Sequence, residues 1–386
     1  MVGTIKMGNV MGRLVKKNLG EMGFNMSGGP VNWFPGHMAS ATRAIRDRLK
    51  LADLVIEVRD ARIPLSSVNG DLQDVLSSKN RVIALNKKDL ANPNIMHRWT
   101  GYFDSLKQDC MTINAHSQNS VKKLLEFAEL KLKEKISKEP TLIIMVVGVP
   151  NVGKSSLINC IHRIASARFP AQQKLKRATV GPLPGVTQDI AGFKIAHHPS
   201  IYVLDTPGIL VPSIPDIETG LKLALTGSVK DSVVGEERIT QYLLAILNIR
   251  STPLHWKNLN DRRLEASLCG DNGKEYKPKK GLQQNAGDVH YIEDVVSEVQ
   301  CALYVTLSEF DGNLEDESDL ECLIEKQFAA LQKAFKIPAH KASDDARRMV
   351  SKKFLALFRM GKLGRFTLDD VLGDINPSSS SSNTNS

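Results

Sequence analysis

Residues 148–155, GVPNVGKS, carry the most specific chemical signature in this chain of 386 residues. They match G-x-x-x-x-G-K-[ST], a loop whose backbone N–H groups surround phosphates. The loop follows the apolar run 141–148 and precedes an apolar helical pattern, which is the context that the motif requires. We therefore predict a nucleoside triphosphate site with Lys154 on the phosphates and Ser155 on Mg²⁺. The other loop residues assigned to the nucleotide are Asn151, Val152, Gly153 and Ser156.

Two later segments carry groups suited to Mg²⁺ and to the γ-phosphate. Asp205 ends a strand-like run in the sequence DTPG, and we predict that it holds Mg²⁺ through water. Gly208 of the same motif offers a backbone N–H to the γ-phosphate. Thr187 lies on a predicted loop between the two phosphate motifs, where a switch segment places a second Mg²⁺ ligand. The alternative for Thr187 is an ordinary turn threonine.

Residues 86–89, NKKD, carry the chemistry of base selection. A carboxylate at Asp89 accepts two hydrogen bonds from guanine, whereas adenine offers an acceptor nitrogen and no amine there. Asn86 is expected to brace the loop, and the stem of Lys87 to pack over the base. The turn 114–116, Asn-Ala-His, is placed to offer a backbone N–H to the guanine oxygen. The predicted guanine-binding set is Asn86, Lys87, Lys88, Asp89, Asn114 and Ala115.

Strand and helix patterns alternate around these motifs. Buried-strand patterns cover 53–59, 81–85, 111–114, 141–148 and 201–205, and a helical pattern covers 121–138. This alternation predicts a three-layer α/β domain with a mainly parallel sheet. The base-reading motif precedes the phosphate loop, which reverses the usual order. Because cutting a closed layout at a surface loop preserves its contacts, we predict a circularly permuted P-loop GTPase domain over 32–215.

The segments outside this G domain have different compositions. We predict a basic leader at 1–31, a helical connection at 216–256, a polar insert or loop at 257–290, a smaller helical C-terminal domain at 291–375 and a disordered tail at 376–386. In a permuted chain the switch segment leads directly into the C-terminal part. The nucleotide state can therefore act on that part.

The composition narrows the class of protein. Hydrophobic residues make up 42% and charged residues 24%, which excludes a largely disordered or collagen-like chain. The net charge of +9 favours a polyanionic partner. The five cysteines are scattered without a CxxC pair, so neither a disulfide framework nor a zinc site is indicated. The longest apolar run, 142–149, is too short to span a bilayer, so any association with a membrane is expected to be peripheral.

The first 26 residues predict the compartment. Lys6, Arg13, Lys16 and Lys17 all precede the first acidic residue, Glu21, among scattered apolar residues. This pattern favours an organelle-targeting segment, and we predict a mitochondrial one. The alternative is a basic leader with no targeting role, and plastid or cytosol remain the other compartments.

Together these motifs resemble the circularly permuted ribosome-assembly GTPases of the YlqF/RbgA type. The resemblance is strongest to the mitochondrial ribosome-associated group, called DAR GTPases in plants. Beyond the nucleotide motifs it rests on 33–38 (WFPGHM), 60–62 (DAR) and 358–364 (FRMGKLG), and it covers roughly 32–372. The resemblance does not extend to the insert at 257–290, and the turn 114–116 departs from the SAK pattern of the family.

The resemblance implies a source for the catalytic group. The residue after DTPG is Ile209, and an aliphatic side chain cannot orient water as the glutamine of Ras-like enzymes does. The family places that role on the histidine of WFPGHM, here His37, whose alternative is packing or capping a helix. Asn151 resembles the asparagine with which related GTPases hold K⁺ beside the phosphates, and its alternative is to shape the loop.

The resemblance also implies a partner. A basic helical pattern over 346–360 is expected to contact ribosomal RNA through phosphate-directed charge, and its alternative is a solvated face. The cations expected largely on its solvent side are Arg347, Arg348, Lys352, Lys353 and Arg359. The residues assigned to RNA are Arg347, Arg348, Lys352, Lys353 and Lys362. The function implied is GTP hydrolysis, weak alone and stimulated by ribosomal subunits, in assembly of the large subunit in the mitochondrial matrix. The alternatives are a translation or signalling GTPase and an RNA-binding scaffold that senses GTP.

Overall fold

The computed structural model describes residues 45–136, 139, 141–168, 192–197, 200–205, 214, 216–257, 286–338 and 343–371. The leader, the tail at 376–386 and most of the polar insert lie outside the described residues. Among the helices that are described, none is long and apolar enough to cross a membrane.

One sheet of six strands forms the centre of the nucleotide-binding part. The strands are β1 (Leu54–Asp60), β2 (Arg81–Asn86), β3 (Asp109–Thr112), β4 (Thr141–Val147), β5 (Gly192–His197) and β6 (Ser200–Asp205). Their order across the sheet is β3-β2-β1-β4-β6-β5, and every neighbouring pair is parallel except β5 with β6. The predicted α/β class with a mainly parallel sheet is confirmed. The sequence analysis missed β5, the antiparallel strand at the edge.

The described part of the chain contains ten α-helices. In chain order they are α1 (Gln73–Ser77), α2 (Met96–Ser105), α3 (Gln118–Ile136), α4 (Lys154–Arg168), α5 (Ile217–Leu225), α6 (Asp231–Val234), α7 (Glu236–Ile249), α8 (Ala286–Ser308), α9 (Glu317–Ala334) and α10 (Ser343–Arg359). A further helical stretch covers 45–49. The helix α8 begins inside the predicted insert, so residues 286–290 are helical and that prediction was wrong for them.

The register of the strands shows how the sheet is covered. Val55, Ile83 and Met145 lie on the same face, because Val55 is paired with Met145 and Ile83 with Glu57, two residues along β1. On that face they pack with the 45–49 stretch, α1 and α2. The helices α3 and α4 pack against each other and against the sheet. All seven residues of β1 are buried, as expected for a central strand covered on both sides.

The chain divides into two compact units. The G-domain unit contains the described residues from 45 to 205 and residue 214, together with Lys222–Lys230 and the described part of Arg365–Ser386, which ends at Val371. The helical unit contains Asp216–Leu221 and the described part of Asp231–Gly364. This partition differs from the predicted boundaries, which placed Lys222–Lys230 in a connection and 365–371 in the C-terminal domain.

The helical unit is built around α7. Every residue from Ile239 to Asn248 is buried, which is typical of a helix enclosed within a domain. Asn248 and Gln327 exchange two hydrogen bonds between their buried side-chain amides, at 2.9 and 2.8 Å. This pair satisfies both amides and fixes α7 against α9.

Candidate nucleotide-binding site

Two glycines allow the phosphate loop to form. Gly148 has a φ of 149° and Gly153 a φ of 97°, both in the region that favours glycine. A Cβ atom at Gly148 would collide with the carbonyl oxygen of Val58 in β1. A Cβ atom at Gly153 would collide with the side-chain amide of Asn86. The loop therefore lies directly against the ends of β1 and β2.

Lys154 is held inside the loop at the start of α4. Its Nζ donates hydrogen bonds to the carbonyl oxygens of Gly148 and Val149, both at 2.9 Å, and the residue is 5% exposed. Ser155 and Ser156 follow in the first turn of the same helix. The positive end of the helix dipole and these backbone N–H groups form a site for anionic phosphate oxygens.

Asn86 connects three loops of the site. Its Nδ2 donates to the carbonyl oxygen of Val152 at 2.8 Å, and its Oδ1 accepts from the N–H of Ala115 at 2.9 Å. The side chain thus braces the base-reading loop against the phosphate loop, as its motif predicts. The N–H of Ala115, expected on the guanine oxygen, donates to Asn86 instead. The next N–H, of His116, donates to Asn114 Oδ1 at 2.8 Å.

The turn after β2, residues 86–89, is the base-reading turn predicted from the sequence, and it leaves Asp89 exposed. Lys88 and Asp89 are both exposed, and the N–H of Lys88 donates to the carbonyl oxygen of Ile113 at 3.2 Å. The N–H of Leu90 closes the turn on the carbonyl oxygen of Lys87 at 2.9 Å. The carboxylate of Asp89 is therefore accessible to a ligand while its backbone is fixed.

A buried ion cluster lies beneath this turn. The Nζ of Lys87 is 2.9 Å from Asp60 Oδ2 at the end of β1, and Arg62 contacts both carboxylate oxygens of Asp60 at 2.9 and 2.7 Å. Burial alone would raise the pKa of Asp60, but the charges of Arg62 and Lys87 outweigh it and hold that pKa well below its usual range. Burial lowers the pKa of Lys87, and the charge of Asp60 opposes that shift.

The Mg²⁺ ligands predicted from the sequence fall partly within the described residues. The backbone of Asp205 ends β6, paired with Val146 in β4, the strand that leads into the phosphate loop. Ser155 lies at the start of α4, directly after that loop. The hydroxyl of Ser155 and the end of β6 at Asp205 therefore belong to neighbouring elements. These oxygen donors suit Mg²⁺. Thr187, Gly208 and His37 lie outside the described residues.

Asn151 has a second role within the G-domain unit. Its backbone adopts a φ of 57°, and its Nδ2 donates to the carbonyl oxygen of Gly227 at 2.8 Å. Arg62 likewise donates from Nη2 to the carbonyl oxygen of the neighbouring Thr226 at 3.3 Å. The turn around Thr226 is thus attached to both the phosphate loop and the DAR motif. No motif in the sequence indicates this turn.

The residues assigned to RNA differ in their surroundings within the helical unit. Arg347 forms ion pairs of 2.6 Å with Glu237 and with Glu325, and its guanidinium lies 4.4 Å from the centre of the Phe328 ring. Its expected solvent-side position was therefore wrong, because carboxylates on α7 and α9 draw it inward. The same correction applies to Arg359, which pairs with Asp231 at 2.6 Å.

The other assigned cations are exposed. Arg348, Lys352, Lys353 and Lys362 all lie at the surface of the helical unit. Arg348 and Lys352 approach the same carboxylate, Glu236, at 3.7 and 3.8 Å. Such long, exposed pairs contribute little to stability. These four side chains keep the exposure that a phosphate contact needs.

The fold and the site together define a class. The base-reading turn, residues 86–89, precedes the P-loop in the sequence, and a parallel sheet brings the two together. These are the features of a circularly permuted P-loop GTPase domain. Such domains bind guanine nucleotides and use Mg²⁺.

Comparisons with known proteins specify the family. The family model described as "50S ribosome-binding GTPase" matches residues 143–265. The chain is 69% identical to Short integuments 2, mitochondrial, of Arabidopsis thaliana over 93% of this chain and 94% of the relative. It is 40% identical to DAR GTPase 2, mitochondrial, of the same organism over 92% and 95%. Against ribosome biogenesis GTPase A of Priestia megaterium the identity is 38% over 56% and 74%. The chain belongs to this family of circularly permuted GTPases, and the resemblance seen in its motifs is confirmed.

Proposed function

We propose that this GTPase acts in assembly of the large ribosomal subunit of mitochondria, in the matrix. The observation that carries the nucleotide part is the hydrogen bonding of Asn86, which joins the base-reading turn, the phosphate loop and the Ala115 turn. The ribosomal part is supported by the relatives, one of which is named for ribosome biogenesis and two of which are labelled mitochondrial.

The arrangement of residues suggests how GTP is held. Asp89 accepts from guanine, the stem of Lys87 covers the base, and the N–H groups of 151–156 surround the phosphates together with Lys154. Ser155, Thr187 and Asp205 hold Mg²⁺, which neutralises the charge that develops on the phosphates. Gly208 donates to the γ-phosphate. His37 orients the attacking water, because the residue after DTPG is Ile209 and has no polar group.

Asn151 is the residue proposed to hold K⁺ beside the phosphates. Its side-chain oxygen is the group suited to a cation, and its nitrogen donates to the carbonyl oxygen of Gly227. A monovalent cation there would supply positive charge to the transition state, as an arginine finger does elsewhere.

The exposed cations of the helical unit are the proposed contacts with ribosomal RNA. Arg348, Lys352 and Lys362 are available for phosphates. Lys353 is exposed as well, but its Nζ donates to the carbonyl oxygen of Phe335 at 3.4 Å. Arg347 is occupied by two carboxylates. Binding through such charges releases counterions and weakens as salt rises.

Sedimentation with purified mitochondrial large subunits tests the proposal. We expect co-sedimentation with a non-hydrolysable GTP analogue, weaker pelleting with GDP, and a loss in both states as salt rises. The coupling between nucleotide and subunit is expected to be about 1–3 kcal/mol. Equal pelleting in the two nucleotide states would contradict the switch, and insensitivity to salt would contradict the RNA contact.

Charge reversal locates the RNA contact. The triple variant Arg348→Glu, Lys352→Glu and Lys362→Glu should lose subunit binding and retain intrinsic GTP hydrolysis. A matched control reverses three exposed lysines of α3, Lys122, Lys123 and Lys133, with the same change of net charge. Equal losses in both variants would show that total charge, and not this surface, determines binding.

A second candidate is an RNA-binding scaffold that senses GTP without turning it over. The observation that favours it is Ile209, since the glutamine of Ras-like enzymes is missing. Multiple-turnover phosphate release separates the two candidates, because a sensor binds GTP but does not recycle it.

A further inference from the structure

Asp60 is a buried carboxylate at the point where β1 ends and the DAR motif begins. It is 0% exposed and contacts two cations, Arg62 and Lys87. Its backbone N–H donates a hydrogen bond to the hydroxyl oxygen of Ser67 at 3.1 Å. The carboxylate thus faces the turn that carries Asp89, two residues beyond Lys87.

We propose that Asp60 is a positioning residue for guanine recognition, which holds the ammonium group of Lys87 so that its stem is fixed where it covers the base. The proposal rests on the assignment of the guanine site given above. Lys87 has a φ of 62°, a left-handed conformation that side chains other than glycine adopt only when their surroundings impose it. The ion pair with Asp60 is the contact that reaches this residue from the sheet.

The ammonium group and the aliphatic stem of Lys87 can serve different purposes. The ammonium is buried against Asp60, while the side chain as a whole remains 22% exposed. A lysine stem can cover an apolar surface while its charged end is satisfied elsewhere. Without the carboxylate, the Lys87 ammonium would face the guanidinium of Arg62 with no intervening negative charge, and repulsion would drive it out of the cluster.

The same strand provides a comparison. Glu57, also buried in β1, pairs with Arg59 at 2.8 Å and with Arg81 at 3.1 Å. It resembles Asp60 in burial and in having two cationic partners, but its side chain lies on the opposite face of the strand, three residues earlier. Removing either charge should destabilise the fold, whereas only Asp60 contacts the base-reading turn.

Guanine-nucleotide affinity of the full chain with Asp60→Asn is the direct test, measured with fluorescent GDP and GTP analogues. We expect both dissociation constants to rise by roughly tenfold and by the same factor, since Lys87 acts on the base and not on the γ-phosphate. In turnover assays KM should rise by that factor, with kcat at saturating GTP within about twofold. Wild-type affinity in this variant would overturn the proposal, as would a loss confined to GTP.

The variant Glu57→Gln is the control for lost stability. It should lower the unfolding temperature as Asp60→Asn does, yet bind nucleotide within about twofold of wild type. If Asp60→Asn does not fold, the pair Asp60→Asn with Arg62→Gln removes both charges and leaves Lys87 unheld. That double variant should also lose affinity, and an equal loss in Glu57→Gln would overturn the proposal.

A double-mutant cycle identifies Lys87 as the route. Lys87→Met lowers affinity by itself, and adding Asp60→Asn to it should cost little more, because Asp60 acts through Lys87. Fully additive losses would contradict that route. Failure of the wild-type chain to bind guanine nucleotide would instead overturn the proposed function, so the two failures are distinguishable.

Discussion

Among single residues, the exposed Asp89 is the carboxylate proposed to select guanine. Asp89→Asn should lose GTP affinity by roughly a hundredfold, about 3 kcal/mol, because a bidentate charged contact is removed. The same variant should gain affinity for xanthosine triphosphate, whose 2-carbonyl accepts from an amide. Competition binding with both nucleotides measures the exchange. Unchanged affinity for GTP would show that another residue reads the base.

His37 is the residue proposed to orient the attacking water. His37→Ala should reduce subunit-stimulated turnover by roughly a hundredfold, since the imidazole is proposed to act only in the transition state. Nucleotide affinity should stay within a few-fold, and equilibrium binding is the control. A variant with undiminished turnover would assign His37 to the fold and the water to a different group.

The helical unit gives two neighbouring arginines opposite roles at the element scale. Arg347 joins α10 to α7 and α9 through Glu237 and Glu325, so Arg347→Ala should lower the free energy of unfolding by about 2 kcal/mol. The adjacent Arg348→Ala should change it by less than about 0.5 kcal/mol, since its side chain is 63% exposed. Chemical denaturation of both variants measures the difference, and equal stabilities would contradict the roles assigned.

The elements also show how far the sequence alone could reach. The strands β1, β2, β4 and β6 were predicted because each contains a short, almost continuous apolar run. The strand β3 (Asp109–Thr112) is only half-buried, and its prediction at 111–114 was two residues late. The phosphate loop was predicted from the spacing of its glycines and lysine. The strand β5 was missed because GFKIAH has no apolar run and pairs at the sheet edge. The predicted boundary between 290 and 291 lies inside helix α8, because the first turn of that helix, from Ala286, is mostly polar. Arg347 was misplaced because periodicity along one helix carries no information about carboxylates on other helices.

The site followed the same division. The motif residues were recognisable because their chemistry is local, as with Asp89 and Lys154. The attachments of Asn151 to Gly227 and of Arg62 to Thr226 join positions far apart in the chain, and neither residue type at Gly227 or Thr226 signals such a contact. The motif identifies Asp60, but its pairing with Lys87 depends on the register of β1 and β2, which the sequence does not show.

At the scale of the whole molecule, the G-domain unit is completed by chain that returns after the helical unit. Residues 365–371 lie along the DAR motif and the residues that follow it, 60–66. Asp369 accepts hydrogen bonds from the N–H groups of Leu65 and Ser66, both at 2.8 Å, and pairs with Lys222 at 3.2 Å. The N–H of Phe366 also donates to Leu90 at 3.2 Å, beside the base-reading turn. The last described residues are therefore part of the nucleotide-binding unit.

This returning segment makes a prediction about stability. Asp369→Asn should lower the free energy of unfolding by about 2–3 kcal/mol, because two N–H groups and a lysine lose a buried charged acceptor. Thermal unfolding in the presence and absence of GDP measures the effect. The exposed Asp104 on α2 provides the control, since Asp104→Asn should change stability by less than about 0.5 kcal/mol. Equal effects of the two variants would contradict the anchoring role of Asp369.

Multiple-turnover release of phosphate from GTP, with and without purified mitochondrial large subunits, tests whether this chain is a GTPase that the large subunit stimulates. We expect slow turnover of GTP by the chain alone, none of ATP, and stimulation by the large subunit that is lost in the triple variant of Arg348, Lys352 and Lys362. A chain that binds GTP but releases no more than one phosphate per molecule, with or without subunits, would contradict the account.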